Sequence, residues 1–341
     1  MAENVVDQVI ARLRSSLSEH YPDRGPCKAV RLVGHTPKPE HYTYDLVGEF
    51  AHGSERISCK VYRGKSAKDT PKSLASREIA NMTFAYDASI ANKIGGIPRP
   101  LDDFSDLGAV VSEKVPGVPL QSIIMKAALL PGYADFKVLN ESAVNAGEWL
   151  QRFHKATESG SIVVDSGKLL SDLEAVCALC KSEGLETNEI QQIVNGARQM
   201  LTKAKKSSPA VASVNAYNPL NIAISDDAIF VCDLSKMLRA DMPYHDIAYF
   251  MAAVEALEKY PFCNREITST LQENFLQAYG INPAERAIVR VLKMQTLLSM
   301  FAAGREGKQT AIRKKVMWAN VMKKFIHESA SRTLSNTSNA A

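Results

Sequence analysis

The sequence predicts an α+β protein of two lobes, a small N-terminal β-sheet lobe and a larger, mostly α-helical C-terminal lobe. Three observations predict it. Strand-like stretches at residues 28–34, 42–50 and 56–62 crowd into the N-terminal part of the chain. From Leu120 onward apolar residues recur at helical spacing. Between residues 213 and 233 the helical run gives way to a loop, an apolar strand (222–224), a Ser-Asp-Asp turn and a second strand (228–231), the pattern of a hairpin. The expected division is 1–115 for the first lobe with its N-terminal helix, 116–332 for the second, and a disordered polar tail over 333–341. With 341 residues the chain is long enough for two such cores.

Composition narrows the class without naming it. Hydrophobic residues at 45% and charged residues at 23% are ordinary for a globular protein. A net charge of +4 does not by itself imply nucleic acid, and no specific nucleic-acid partner is expected. The six cysteines are scattered, several within apolar runs, as suits buried thiols in a reducing compartment. Cys177 and Cys180 form a C-x-x-C inside a helical pattern, with no second ligand pair nearby to make a metal site. Acidic Glu3 and Asp7 argue against a signal peptide, and no apolar run approaches the ~18 residues of a membrane span. A cytoplasmic location is therefore expected.

In chain order, Val6, Ile10, Leu13 and Leu17 mark an amphipathic helix over 4–20. The three strands follow, with His52-Gly53-Ser54 as a tight turn between the last two. Strand residues 57–62 carry one lysine, Lys60, whose alternating apolar neighbours aim it at the interior. A buried ammonium needs a partner. The helical stretch 72–87 offers Glu78; otherwise Lys60 reaches out to water and Glu78 is one more solvated helix charge. After a Gly-Gly and Pro-rich loop at 94–100, residues 108–117 read as a buried strand that stops at Pro116-Gly117.

Helices are expected at 143–157, 169–181, 187–203, 247–257, 266–279, 283–303 and 310–329. His154 reads as a satisfied structural histidine. The last helix gathers Arg305, Lys308, Arg313, Lys314, Lys315, Lys323 and Lys324 beside Trp318 and Phe325. Three readings of residues 305–332 stand: a surface for an anionic membrane or lipid-linked acceptor, an attractor for a phosphorylated acceptor or nucleic acid, or the basic outer face of a packed helix.

The hairpin segment carries the chemistry. Asn221 ends the loop and Asp233 follows the second strand, so the hairpin is expected to bring an amide oxygen and a carboxylate together, hard ligands of the kind Mg²⁺ takes. This order resembles the aminoglycoside phosphotransferase and choline kinase group, of protein-kinase-like fold. That family's loop reads H-G-D or H-N-D, then x-x-P-x-N, then Ile-Asp after a hairpin. Here the run is Val214-Asn215-Ala216-Tyr217-Asn218-Pro219-Leu220-Asn221, then Cys232-Asp233. The resemblance extends over roughly residues 42–248 and lies in the order of the motifs rather than in any one of them.

By that resemblance Lys60 and Glu78 position the phosphates of ATP or GTP, and Asn221 and Asp233 hold Mg²⁺. The turn His52-Gly53-Ser54 covers the phosphates, and Glu113 and Val115 offer backbone groups to the base. Asp246, in Asp246-Ile247-Ala248, braces the loop or caps a helix. The resemblance implies a phosphotransferase acting on a hydroxyl of a small molecule or glycan. One position departs from it: Ala216 stands where the family has its catalytic aspartate. With Lys60, Glu78, Asn215, Asn221 and Asp233 all kept, the loss is selective and hints at a single Asp-to-Ala change. The other reading is a pseudokinase that binds nucleotide as a sensor or scaffold.

Overall fold

The computed structural model describes residues 2–64, 69–129, 136–182, 184–225, 228–260, 263–303, 326–328, 330 and 331. The elements run α1 (Ala2–His20), β1 (Cys27–Pro37), β2 (His41–Phe50), β3 (Gly53–Tyr62), α2 (Pro71–Ala91), β4 (Ala109–Glu113), β5 (Val118–Pro119), α3 (Leu120–Leu129) and α4 (Phe136–Ala156). Then come β6 (Ser161–Val163), α5 (Ser166–Ser182), α6 (Thr187–Leu201), β7 (Ser207–Pro209), β8 (Val211–Ser213), β9 (Ile222–Ser225), β10 (Ala228–Val231) and β11 (Leu238–Asp241). The chain continues through α7 (Tyr244–Glu255), α8 (Arg265–Tyr279) and α9 (Pro283–Ala303). The basic stretch expected to form a helix over 310–329, and the tail at 333–341, fall almost wholly outside the described residues. Among the described residues no helix is long and apolar enough to cross a membrane.

The chain divides into two units. The first comprises Met1–Val118 together with Ala223–Leu238, so the strands that follow the loop return to it. Its centre is an antiparallel sheet in the order β1-β2-β3-β4. Alternation along the strands sorts the side chains: Tyr44, Leu46, Ile57, Cys59 and Val61 join Val9, Leu13 and Leu17 of α1 in one apolar core. This fixes the side of Lys60. Its apolar neighbours belong to the α1 core, so Lys60 lies on the opposite face, where α2 packs against β3 and β4. The interior that Lys60 points into is thus the α2 side of the sheet and not the α1 core.

The second unit holds Pro119–Ile222 and Arg239–Ala341. Its described residues are mainly helical, with α4 packed on α8 and with α5 and α7 on α9. Aromatic residues form its centre: Phe250 stacks on Phe275 at 4.0 Å, and Tyr217 stacks on Trp149 at 5.8 Å. Cys177 and Cys180 are both buried, and the Cys180 thiol donates to the Leu298 carbonyl at 3.3 Å.

Candidate active site

In the first unit, Lys60 sits in β3 opposite Thr43 of β2 and Val110 of β4. Its Nζ lies 2.5 Å from Glu78 Oε1 and 3.5 Å from Asp233 Oδ1. The Tyr62 hydroxyl donates to the other Glu78 oxygen at 2.5 Å. Glu78 is fully buried, so both its oxygens are matched by donors, as a buried carboxylate requires. Burial disfavours charge on Lys60, but Glu78, Asp233 and the Tyr62 oxygen outweigh it and hold the ammonium charged well above the ordinary lysine range. Burial would likewise raise Asp233, yet Lys60 and the Ser235 N–H bring it down to about 2. The result is a fixed cation and a fixed anion side by side at neutral pH.

The turn at this end of β3 is the β1–β2 connection, Lys38-Pro39-Glu40. Arg63 N donates to Glu40 O at 2.9 Å, and the His41 ring lies 5.8 Å from that of Tyr62. Burial, then the Lys60 charge, lowers His41 to about 4, so its ring is neutral at pH 7. His52-Gly53-Ser54 is at the far end of the strand: Gly53 pairs with Phe50 and adjoins Arg24. Lys60 is seven residues further along β3, roughly 23 Å at strand rise. The expectation that this turn covers phosphates held by Lys60 is therefore corrected; both ends of the sheet have turns, and only register tells which one lies beside the lysine.

At the far end Ser54, Glu113 and Val115 do come together, around a cavity of about 660 Å³ also lined by Tyr21, Arg56, Lys114 and Gly117. Lys114 N donates to Arg56 O at 3.0 Å and ends the β3–β4 pairing. Glu113 N turns the other way, to Arg99 O at 2.9 Å. Its side chain is fixed by Tyr21 Oη at 3.0 Å and by Arg99 at 2.8 Å. Gly117 closes the segment with φ +92°; a Cβ there would stand 2.0 Å from Ile224 O, so no side chain fits.

In the second unit the loop Val214–Asn221 is fixed from below by one carboxylate. Asp246, fully buried at the start of α7, accepts from Val214 N and Asn215 N, both at 2.7 Å, and from His154 Nε2 at 3.0 Å. The other His154 nitrogen meets Tyr279 Oη at 2.9 Å. Burial, then Asp246, raises the Tyr279 phenol, so it stays protonated. Asn215 takes a left-handed φ of 53°, tied further by its amide to Asp241 Oδ2 at 3.3 Å, which also meets His245 Nδ1 at 2.9 Å. Tyr217 anchors the loop into the aromatic core, its hydroxyl donating to Ala146 O at 2.7 Å.

Ala216 is buried, and its carbonyl accepts from Asn218 N at 2.9 Å, Asn218 Nδ2 at 3.1 Å and Asn221 Nδ2 at 3.1 Å. The loop is thus held by backbone groups and by its neighbours' side chains.

Several residues of these clusters escaped the sequence reading. Tyr62 lies two residues from Lys60 on one strand face, and Asn81, whose amide donates to Leu234 O and Met237 O just past Asp233, lies three residues from Glu78 on one helix face; strand and helix periods could have found both. Asp241, His245, Tyr279, Tyr21 and Arg99 reach their sites through long-range contacts that leave no local signal.

No protein-family model matches the chain, and no curated protein sequence does. Solved structures do. A choline/ethanolamine kinase family protein from Mesorhizobium loti shares 15% identity at a TM-score of 0.55, covering 97% of this chain and 98% of that one. An aminoglycoside phosphotransferase from Alicyclobacillus acidocaldarius shares 12% at 0.54, covering 94% and 95%. An amicoumacin kinase in complex with AMP-PNP and Ca²⁺ shares 14% at 0.53, covering 94% and 96%. The described residues therefore have the kinase-like α+β fold of these proteins, an N-terminal antiparallel sheet and a larger helical C-terminal part.

Proposed function

We propose that the chain is a nucleotide-dependent phosphotransferase, taking the γ-phosphoryl group of ATP or GTP to a hydroxyl of a small molecule or glycan. Its turnover is reduced by alanine at position 216. The observation that carries the reading is Lys60 fixed between Glu78 and Asp233, an ammonium set to bind phosphates beside a carboxylate set to bind their metal. In this reading Lys60 binds the α- and β-phosphates, and Glu78 and Tyr62 hold it there. The carbonyl of Glu113 and the N–H of Val115 receive the base.

The residues fit a hard divalent cation. Asp233 stays ionised, and Asn221 directs its amide nitrogen to Ala216 O at 3.1 Å, which leaves the amide oxygen for a ligand. Mg²⁺ held by these groups supplies positive charge to the phosphate oxygens. Asp246 keeps the loop in shape. An acceptor hydroxyl next to Ala216 finds no base, which costs roughly 10²–10⁴ in rate. Positioning and charge, the larger contributions to phosphoryl transfer, remain.

A second reading, a nucleotide-binding protein without transfer, is favoured by Ala216 alone. One comparison separates the two. The chain and its Ala216→Asp variant are given Mg-ATP or Mg-GTP with sugars, glycan extracts, aminoglycosides and choline, and the γ-phosphate is followed. The variant is expected to transfer about a hundredfold faster or more. Nucleotide binding without transfer by either protein favours the second reading; no nucleotide binding at all overturns both.

A further inference from the structure

Helix α2 meets the candidate site twice, and only one of the two contacts belongs to the phosphate-binding pair. Three residues after Glu78, on the same helix face, Asn81 is buried. Its two amide protons donate to Leu234 O at 3.1 Å and Met237 O at 3.0 Å. Those carbonyls are the two ends of a turn, Leu234 to Met237, which Met237 N closes on Leu234 O at 3.1 Å. Inside the turn, Ser235 N donates to Asp233 Oδ1 at 3.0 Å. Asp233 in turn lies beside Lys60, and Lys60 beside Glu78. The contacts form a closed ring: Glu78, Lys60, Asp233, Ser235, the turn, Asn81 and back along one helical turn to Glu78.

We infer that Asn81 is a positioning residue for the metal-binding carboxylate. It holds the turn whose N–H aims Asp233, as Glu78 holds Lys60, so that one rigid helix sets both the cation and the anion of the site. The inference rests on the nucleotide-and-metal reading of Lys60 and Asp233. A buried amide serving two carbonyls is costly to replace by an apolar side chain, which leaves both acceptors unpaired. A purely structural Asn81 would affect stability alone. A positioning Asn81 acts on metal binding, as partners one step removed from a metal ligand do.

The test is nucleotide affinity of the full chain, measured with ADP in the presence of Mg²⁺ and again in EDTA, whose ratio is the metal enhancement. Asn81→Leu is expected to lower that enhancement about tenfold while the EDTA affinity, set by Lys60, is unchanged. Ser235→Pro keeps a residue suited to the second position of the turn but removes the N–H that reaches Asp233; it is expected to act in the same direction with α2 intact. Amide hydrogen exchange at Met237 reads the bracket without any nucleotide, and Asn81→Leu is expected to speed it. A folded Asn81→Leu protein with wild-type enhancement overturns the inference. Should that variant fail to fold, an unchanged enhancement in Ser235→Pro overturns it instead. If the unmodified chain binds no nucleotide, the functional reading fails separately, and unaltered exchange at Met237 would then end this one too.

Discussion

Replacing Asp246 by alanine probes how the loop around Ala216 is held. The carboxylate is fully buried and accepts from three donors: Val214 N, Asn215 N and His154 Nε2. Removing it leaves two backbone N–H groups and one ring N–H without their acceptor. Each orphaned donor costs about 1–3 kcal/mol, and breaking a buried charged network typically totals about 3–5 kcal/mol. Asn215 makes the upper half of that range the better expectation, since its positive φ of 53° relies on the same carboxylate. For a unit of this size, about 3–5 kcal/mol corresponds to a fall in Tm of roughly 6–20 °C. Asp246→Asn, which keeps an acceptor oxygen but loses the charge, should cost about half as much. Urea unfolding followed by tryptophan fluorescence suits the measurement, because Trp149 stacks on Tyr217 of the loop itself. An Asp246→Ala protein within about 1 kcal/mol of the parent would show that the loop is held by something other than this carboxylate.

Two further perturbations address the first unit. Gly117→Ala places a methyl 2.0 Å from the Ile224 carbonyl on a backbone at φ +92°; clash and strain together should remove about 2–4 kcal/mol, read as a lower urea midpoint, and an unshifted midpoint would contradict the packing. The His41 ring is held neutral, with its pKa lowered to about 4 against ~6.5 in the unfolded chain. The unfolded state therefore binds the extra proton first, and stability is lost as pH falls from ~6.5 towards 4. Allowing for partial solvent screening, the loss is about 1–2 kcal/mol, and His41→Gln should remove that share of the pH dependence between pH 7 and 4. An unchanged pH profile in the variant would place the buried proton elsewhere.

The fold was legible where periodicity is local. Val6, Leu13 and Leu17 of α1, the alternation of β2 and β3, and β10 at Ala228–Val231 follow from spacing alone, whereas Val9 takes the core place expected of Ile10, which is only partly buried. The strand lysine and helix glutamate were legible as a pair because an ammonium in an apolar strand demands a partner, and Glu78 supplies it. What spacing could not supply was the side. Spacing aims Lys60 inward but leaves open on which side of the sheet; alternation with Cys59 and Val61 puts it on the face opposite the α1 core. Turn chemistry was also insufficient: His52-Gly53-Ser54 has the glycine, but Lys38-Pro39-Glu40, without one, lies at the end of β3 that carries Lys60. The partners of Asp246 come from positions as distant as His154 and Tyr279. No local pattern marks such a network, and only the packed helices assemble it.

The environment of Ala216 bears on the proposal that this position has lost a catalytic base, and on whether such a loss would be recent or long settled. The hydrogen bonds that shape this part of the loop use the backbone carbonyls of residues 216 and 218, the side chains of Asn215, Tyr217, Asn218 and Asn221, and the carboxylates of Asp241 and Asp246. The side chain at 216 takes part in none of them. A loop that had adapted to alanine over a long time would be free to close over the methyl group, because no chemistry would keep the space open. A loop built for a carboxylate would still hold that space and its access to water. In a loop that keeps such a space, Ala216→Asp leaves stability within about 1 kcal/mol. In a closed site the same change buries an unpaired charge and costs about 3–5 kcal/mol. Thermal unfolding of the two proteins separates these outcomes before any acceptor is known. A drop of the larger size would refute the reading of a selectively disabled enzyme, and would instead favour a protein whose work is binding nucleotide.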